Sequence, residues 1–206
     1  MPYPFDHLLG KAGQHAAVAE FLGRGFNVAS PEVDVGDDFL VLDDREGGYS
    51  RIQVKTSSTK PLKTEWGFQA QFFIPTRQLV TPHRPGLFYV LAARLDDGGE
   101  WNSETVGGTE TRPVWRNRVS CDGDTGVPIP GRQWEFVVIA RKSLLAKHRR
   151  NGFGILMSER VMVGLTFRRE TVTGHGLDLQ GFRNNFGRYW PQRDGRRGGR
   201  GTQPVS

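Results

Sequence analysis

The sequence has little cysteine and no long hydrophobic run. Cys121 is its one cysteine, which excludes an internal disulfide, and no cysteine–histidine cluster has the spacing of a structural zinc site. The longest apolar runs, such as Leu87 to Ala93, are far below the roughly 18 residues that a membrane-spanning helix needs. The segment from Met1 to Gly10 also lacks the layout of a signal peptide. These absences predict a cytoplasmic protein without membrane association.

The chain has enough apolar residues for one globular core. Hydrophobic residues make up 36% of its 206 residues, which lies above the range of disordered chains. We therefore expect one domain over residues 1–191. Residues 96–132, rich in glycine, threonine and aspartate, are too long for a plain connection and indicate a loop insertion with room for a small hairpin. Residues 192–206 form a Gly/Arg-rich segment that we expect to be a disordered basic tail.

The charge is unbalanced toward the basic side. The formal net charge is +6, and lysine and arginine gain free energy when they release counterions from nucleic-acid phosphates. Part of this excess lies in the four arginines of the tail, Arg193, Arg196, Arg197 and Arg200. The composition thus favours an anionic partner such as DNA without specifying it.

Hydrophobic periodicity predicts an α/β order of elements. Apolar residues recur at helical spacing between Leu8 and Leu22, and Gly23 and Gly25 end that pattern. A second, short helix is expected at residues 143–150, with Ser143 as its cap. Strands are expected at residues 39–42, 49–55, 68–74, 87–94, 134–140 and 161–167.

The turn cluster at residues 43–48 predicts a hairpin that collects polar groups. Pairing centred near residue 46 places Asp38 opposite Gln53 to Lys55. Because side chains alternate along a strand, Gln53 and Lys55 share one face while Val54 points to the other. A carboxylate, an amide oxygen and a lysine on one face suit metal-assisted phosphodiester cleavage: the oxygens are ligands for Mg²⁺, and the cation lies beside the scissile phosphate.

The segment Gln53-Val54-Lys55-Thr56 resembles the "QVKT" strand of PD-(D/E)xK nucleases in which glutamine replaces the second acid. The resemblance extends over most of residues 8–191. Within this superfamily the chain is similar to the DUF4365-type and homing-endonuclease-like branch. The other segments that carry it are Gly13, Gly25 to Val28, Pro31, Gly36 to Phe39, Phe182 to Asn185 and Trp190-Pro191. It implies a restriction-endonuclease-like α/β core, a central mixed β-sheet flanked by helices, and DNA hydrolysis with Mg²⁺ or Mn²⁺.

Carried over position by position, the resemblance implies roles for named residues. Asp38 takes the place of the metal-binding aspartate, with Asp37 as the alternative if the register shifts by one. Gln53 takes the place of the second metal ligand and Lys55 that of the catalytic lysine. On the first helix, where such nucleases commonly place a glutamate, this chain has Gln14. Glu20 is the nearest acid, but six residues at about 100° each turn it roughly 120° away from Gln14. Gln14 and Glu20 are therefore alternative candidates for a metal ligand on this helix.

Four basic residues are candidates for contacts with DNA, although each also has a structural interpretation. Arg183 and Arg188 accompany aromatic residues that could stack on a base or pack as a terminal helix. Lys147 and Arg149 could bind phosphate or could complement the helix dipole. The expected protein is a metal-dependent DNA nuclease. A homodimer is consistent with this function, because cleavage of two strands needs two sites. The alternative is a catalytically inactive nuclease-like module that binds DNA or protein.

Overall fold

A computed structural model describes residues 5–32, 36–43, 48–62, 67–82, 84–95, 100–106, 110–116, 133–168 and 170–186. Three α-helices lie in this part of the chain: α1 (Phe5–Gly23), α2 (Thr76–Val80) and α3 (Arg141–Asn151), and a 3-10 helix spans Gln180–Phe182. The strands are β1 (Asn27–Ala29), β2 (Phe39–Asp43), β3 (Gly48–Pro61), β4 (Gly67–Pro75), β5 (Leu87–Arg94), β6 (Glu100–Val106), β7 (Glu110–Arg116), β8 (Trp134–Ala140), β9 (Ile155–Met157), β10 (Arg160–Arg168), β11 (Val172–Gly174) and β12 (Leu177–Asp178).

The long strand β3 organises a ten-stranded sheet. Its first part pairs antiparallel with β2, where Phe39 lies opposite Ile52. Its middle pairs parallel with β5, and its last three residues pair antiparallel with β4. From β4 the sheet continues through β10 to β11 and β12, while β5 continues to β8. Strands β6 and β7 form a separate two-stranded sheet.

Two clusters of buried side chains cover the two faces of β5 and β8. Val90 and Ala92 of β5 pack in one cluster with Ala17 and Phe21 of α1. The alternate residues of β5, such as Tyr89 and Leu91, belong to the second cluster with β4, β10 and α3. A strand that is buried on both faces needs a continuous apolar run rather than an alternating one, and β5 has such a run. Helix α1 therefore packs on one face of β5, and the side chains of β4, β10 and α3 pack on the other face.

The expected α/β class with a central mixed sheet is confirmed, although antiparallel pairs predominate and helices are few. The two predicted helices are present, but α3 begins at Arg141 rather than at a Ser143 cap, and no side-chain cap bond is present at its start. The β6–β7 hairpin falls inside the predicted insertion. The 192–206 tail lies outside the described residues. No described helix is long and apolar enough to cross a bilayer.

Candidate active site

The site forms where β2 ends beside β3. The Asp38 backbone N–H donates to the Ile52 carbonyl at 2.9 Å. Because Ile52 is also the pairing partner of Phe39, the register shifts by one residue at this point. Beyond this point a side chain replaces the next main-chain acceptor, because the Val54 N–H donates to Asp38 Oδ2 at 2.6 Å. The same Oδ2 accepts from Gln53 Nε2 at 2.7 Å. The predicted hairpin therefore brings Asp38 and Gln53 into direct contact.

Helix α1 lies against the same segment of β3. A β-carbon at Gly13 would be 2.2 Å from Thr56 Oγ1, so only a glycine allows this close approach. The approach brings Gln14 to the end of β2, where its Nε2 donates to the Asp38 carbonyl oxygen at 3.0 Å. One turn earlier, Lys11 Nζ donates to Gln14 Oε1 at 3.0 Å. Gln14 therefore contacts the backbone of Asp38, not its carboxylate.

An open cavity of about 310 Å³ collects these groups. Gln53 and Lys55 line it from β3, next to Asp38. Helix α1 adds further polar groups, among them Asp6, Lys11 and Gln14. Asp6 was not among the sequence candidates. Its spacing of seven residues from Gly13 places both on one helix face, and that spacing was the signal that could have identified it.

Burial shifts the pKa values of Asp38 and Lys55 in opposite directions. Desolvation raises the pKa of Asp38, opposed by the Val54 N–H and by the charges of Lys55 and Lys11. Desolvation also lowers the pKa of Lys55, aided by the nearby charge of Arg160 and opposed by Asp38. Both shifts disfavour the charged forms. A cation beside Asp38 and an anion beside Lys55 would therefore relieve an existing desolvation cost.

A short helix that the sequence analysis missed also contacts the site. Gln78 of α2 donates through Nε2 to Gln53 Oε1 at 2.6 Å and to the Gly36 carbonyl at 3.2 Å. Gln53 is 8% exposed, so its amide is held between Gln78 and Asp38. Five residues are too few for helical periodicity to show, and Pro75 immediately before Thr76 was the available signal for a helix start.

Two acidic candidates lie outside this cluster. Asp37 is buried and forms an ion pair with Arg51 at 2.5 Å, and it does not line the cavity. Glu20 pairs with Arg24, the residue that follows the end of α1, and does not line the cavity. The structure thus brings together Asp38, Gln53 and Lys55, with Gln14 at the rim, and leaves Glu20 apart.

The predicted DNA-binding residues have separate environments. Arg183 is almost buried, with Nε and Nη2 bonded to the two carboxylate oxygens of Glu135 and Nη1 to the Arg168 carbonyl. Lys147 Nζ lies 5.5 Å from the ring centre of Phe182. Arg149 is exposed on the last turn of α3. Arg188 lies outside the described residues.

The donor set fits a weakly held Mg²⁺ or Mn²⁺. No group of three or more histidine, cysteine, aspartate or glutamate residues that could hold a metal occurs in the described part of the chain. Asp38 supplies a carboxylate, and Gln53 carries an amide oxygen that accepts from Gln78 in this structure. Mg²⁺ is commonly bound by one or two carboxylates, with waters and substrate phosphates completing its octahedron. The cavity is open, so water and phosphate can enter it beside Asp38.

Comparison with sequence families gives no match, and neither does comparison with curated proteins. Among solved structures, the chain is similar to a bacterial homing endonuclease, with a TM-score of 0.39 and 15% sequence identity. The alignment covers 87% of each chain.

Proposed function

We propose that this protein is a divalent-metal-dependent deoxyribonuclease that hydrolyses phosphodiester bonds in DNA, acting in bacterial or phage DNA metabolism or defence. One observation carries the proposal: Asp38 and Gln53 lie in contact on adjacent strands, in the same open cavity as Lys55. This arrangement supports a metal-assisted hydrolase because it combines hard oxygen ligands with a cation and solvent access. No residue in the cavity needs to act as a covalent nucleophile.

Each side chain has a role in this proposal. Asp38 and Gln53 would hold Mg²⁺ or Mn²⁺, which when bound lowers the pKa of a coordinated water and neutralises phosphate charge. Protonated Lys55 would donate to a non-bridging phosphate oxygen, where negative charge increases in the transition state. Lys11 and Arg160 add positive charge near the same cavity. The cluster therefore favours a phosphate over a neutral substrate.

A second candidate is a nuclease-like module that binds DNA or protein without cutting. The observation that favours it is Gln14, which stands at the first-helix position of the expected acid and donates to the Asp38 backbone. With glutamine at position 14, the carboxylate of Asp38 has no acidic neighbour from that helix position to help it hold a cation. Such a module would retain salt-dependent DNA binding but would show no metal-dependent cleavage.

The deciding experiment is cleavage of linear, nicked and branched DNA with Mg²⁺ or Mn²⁺. Wild type is compared with Asp38→Asn and Lys55→Ala. We expect both substitutions to reduce the rate by at least about 100-fold, the usual effect of removing one group that stabilises transition-state charge. Glu20→Gln and Lys60→Ala are matched controls because Glu20 lies outside the cavity and Lys60 is an exposed lysine on the same strand as Lys55.

The outcomes separate the two candidates. Cleavage by wild type and both controls, lost in the two site variants, supports the nuclease. DNA binding by wild type without cleavage of any substrate in either metal supports the inactive module. Retention of activity in the two site variants would place the chemistry elsewhere.

We also propose a homodimer, because hydrolysis of both strands of a duplex requires two sites. Sedimentation of the protein with and without a short duplex tests this. A single monomeric species under both conditions would oppose it.

A further inference from the structure

Three amide and carboxylate side chains form a directional chain of hydrogen bonds beside the cavity. Gln78 Nε2 donates to Gln53 Oε1 at 2.6 Å, and Gln53 Nε2 donates to Asp38 Oδ2 at 2.7 Å. Each N–H therefore points toward the carboxylate. In this direction the oxygen of Gln53 faces Gln78, away from Asp38.

This direction is incompatible with a role of Gln53 as a cation ligand. Metal ions are bound by the amide oxygen, because the amide N–H₂ group has two donors and no available lone pair. For Asp38 and Gln53 to hold one cation, the Gln53 amide must turn by 180° and present Oε1 beside the carboxylate. Without a cation, that arrangement would place two acceptors against each other. The amide direction and cation binding are therefore coupled.

Turning the Gln53 amide also changes what Gln78 must do. The Gln53 N–H₂ group would then face Gln78 in a buried position, and a buried donor needs an acceptor. Gln78 can supply one by turning its own amide, and its Nε2 would then leave the Gly36 carbonyl. A glutamine suits both states because its side chain carries a donor and an acceptor at the same reach.

We propose that Gln78 is a positioning residue that sets the direction of the Gln53 amide and so controls the cation affinity of the site. This inference rests on the proposed function, since it concerns the same cation. It assigns to α2 a role that no motif on β2 or β3 indicates. Gln78 itself would not touch the cation.

Three substitutions at position 78 test separately the hydrogen-bond acceptor, the length and the shape of this side chain. Gln78→Glu keeps the reach but, when ionised, offers only acceptors, so it holds Gln53 in the cation-binding direction. We expect it to tighten cation binding about tenfold. Gln78→Met keeps the shape without a polar group and leaves the turned Gln53 N–H₂ group without its partner, so affinity should fall about tenfold. Gln78→Asn keeps the amide but is one methylene shorter, and should resemble Gln78→Met.

The measurement is a titration of purified full-length protein with Ca²⁺ or Mg²⁺, followed by calorimetry and by NMR of the side-chain amide groups. NMR gives a readout that a merely structural role would not change. The Gln53 N–H₂ group should contact Asp38 in the free protein and Gln78 in the cation-bound protein. Gln71→Glu is the charge control, because it adds one negative charge to an exposed position of β4, the strand that follows β3.

The outcomes distinguish this inference from the proposed function. If wild type binds the cation and the three Gln78 variants bind it equally, the positioning role is overturned and the nuclease proposal stands. If Gln71→Glu tightens binding as much as Gln78→Glu, added charge explains the effect and the positioning role is again overturned. If wild type binds no cation at all, both proposals fail. The opposite shifts of Gln78→Glu and Gln78→Met, with the change in amide contacts, support the inference.

Discussion

Gly13 of α1 lies so close to Thr56 of β3 that a β-carbon at position 13 would be 2.2 Å from the threonine Oγ1. This contact fixes the height of α1 above the strand that carries Gln53 and Lys55. It also explains why Gln14, the next residue, reaches Asp38.

We therefore expect Gly13→Ala to displace α1 and to lower the free energy of unfolding by about 1–3 kcal/mol, the usual cost of overpacking. Gly10→Ala is the matched control, because a β-carbon there has nothing within 4 Å and alanine favours the helix by about 1 kcal/mol. Urea unfolding of both variants measures the difference. Equal stability of the two variants would show that the contact is not tight. Thr56→Ala should partly rescue Gly13→Ala.

Gln14→Glu tests the first-helix position. The substitution removes the N–H that donates to the Asp38 carbonyl and adds a carboxylate at the rim of the cavity. Without a cation we expect a loss of stability of about 1 kcal/mol. With Mn²⁺ we expect about tenfold tighter binding, because affinity for hard cations rises with the number of anionic ligands. Calorimetry checks the second expectation, and unchanged affinity would place position 14 outside the cation's reach.

Arg160 and Arg149 distinguish two surfaces for DNA. The charge of Arg160 is close enough to Lys55 to lower its pKa, whereas Arg149 lies on the last turn of α3. We expect Arg160→Gln to weaken DNA binding and to reduce the slope of log K against log salt by about 1. Fluorescence anisotropy in EDTA measures binding without cleavage. A larger effect of Arg149→Gln would favour the α3 surface suggested by the sequence.

Glu135 and Arg183 form a buried pair that holds the end of the described chain on β8. Asn184 joins them by donating to Glu135, and its own N–H donates to the Phe136 carbonyl. Glu135→Ala should lower the free energy of unfolding by about 3–5 kcal/mol, because it leaves a buried guanidinium without its partner. Glu20→Ala, which breaks a more exposed pair on α1, should cost less than about 1 kcal/mol. Thermal and urea unfolding compare them. Similar costs would mean that Arg183 finds another partner or water.

Tyr89 carries a buried hydroxyl for which the described part of the chain offers no hydrogen-bond partner. Burial raises the pKa of this group well above its usual value, so the hydroxyl stays neutral wherever the protein is folded. Tyr89→Phe removes an unsatisfied polar atom without changing the ring, and we expect unchanged or increased stability, by up to about 1 kcal/mol. A loss of more than 1 kcal/mol would reveal a partner for the hydroxyl.

The local part of the site could be predicted from the sequence, and the non-local part could not. The turn at residues 43–48 fixes the hairpin register, so the contact between Asp38 and Gln53 follows from turn position and strand alternation. Strand β5 could be placed with its observed bounds because its apolar run is continuous. The distinction between Asp38 and Asp37 depends on one residue of register, and in the structure Asp38 lines the cavity while Asp37 is buried against Arg51.

The contribution of α2 depends on tertiary packing. Its five residues have no helical repeat to detect, and Gln78 lies 25 residues from Gln53 along the chain. The short strands β1, β9, β11 and β12 were missed for the same reason, because two or three residues show no alternation. Arg183 looked like a surface arginine, since its partner Glu135 is 48 residues away.

The separations along the chain also set an order of assembly. Asp38 and Gln53 are joined by a local hairpin and are 15 positions apart in the sequence, and hairpins form in about 1–10 μs. The parallel pairing of β3 with β5 joins Ile52 to Phe88 across the whole of β4 and α2, and such non-local pairing is slower. We expect the two proposed cation ligands to meet early in folding. Gln78 and α1, which orient them, would arrive only when the sheet is complete, so the cavity becomes competent as the last step of folding.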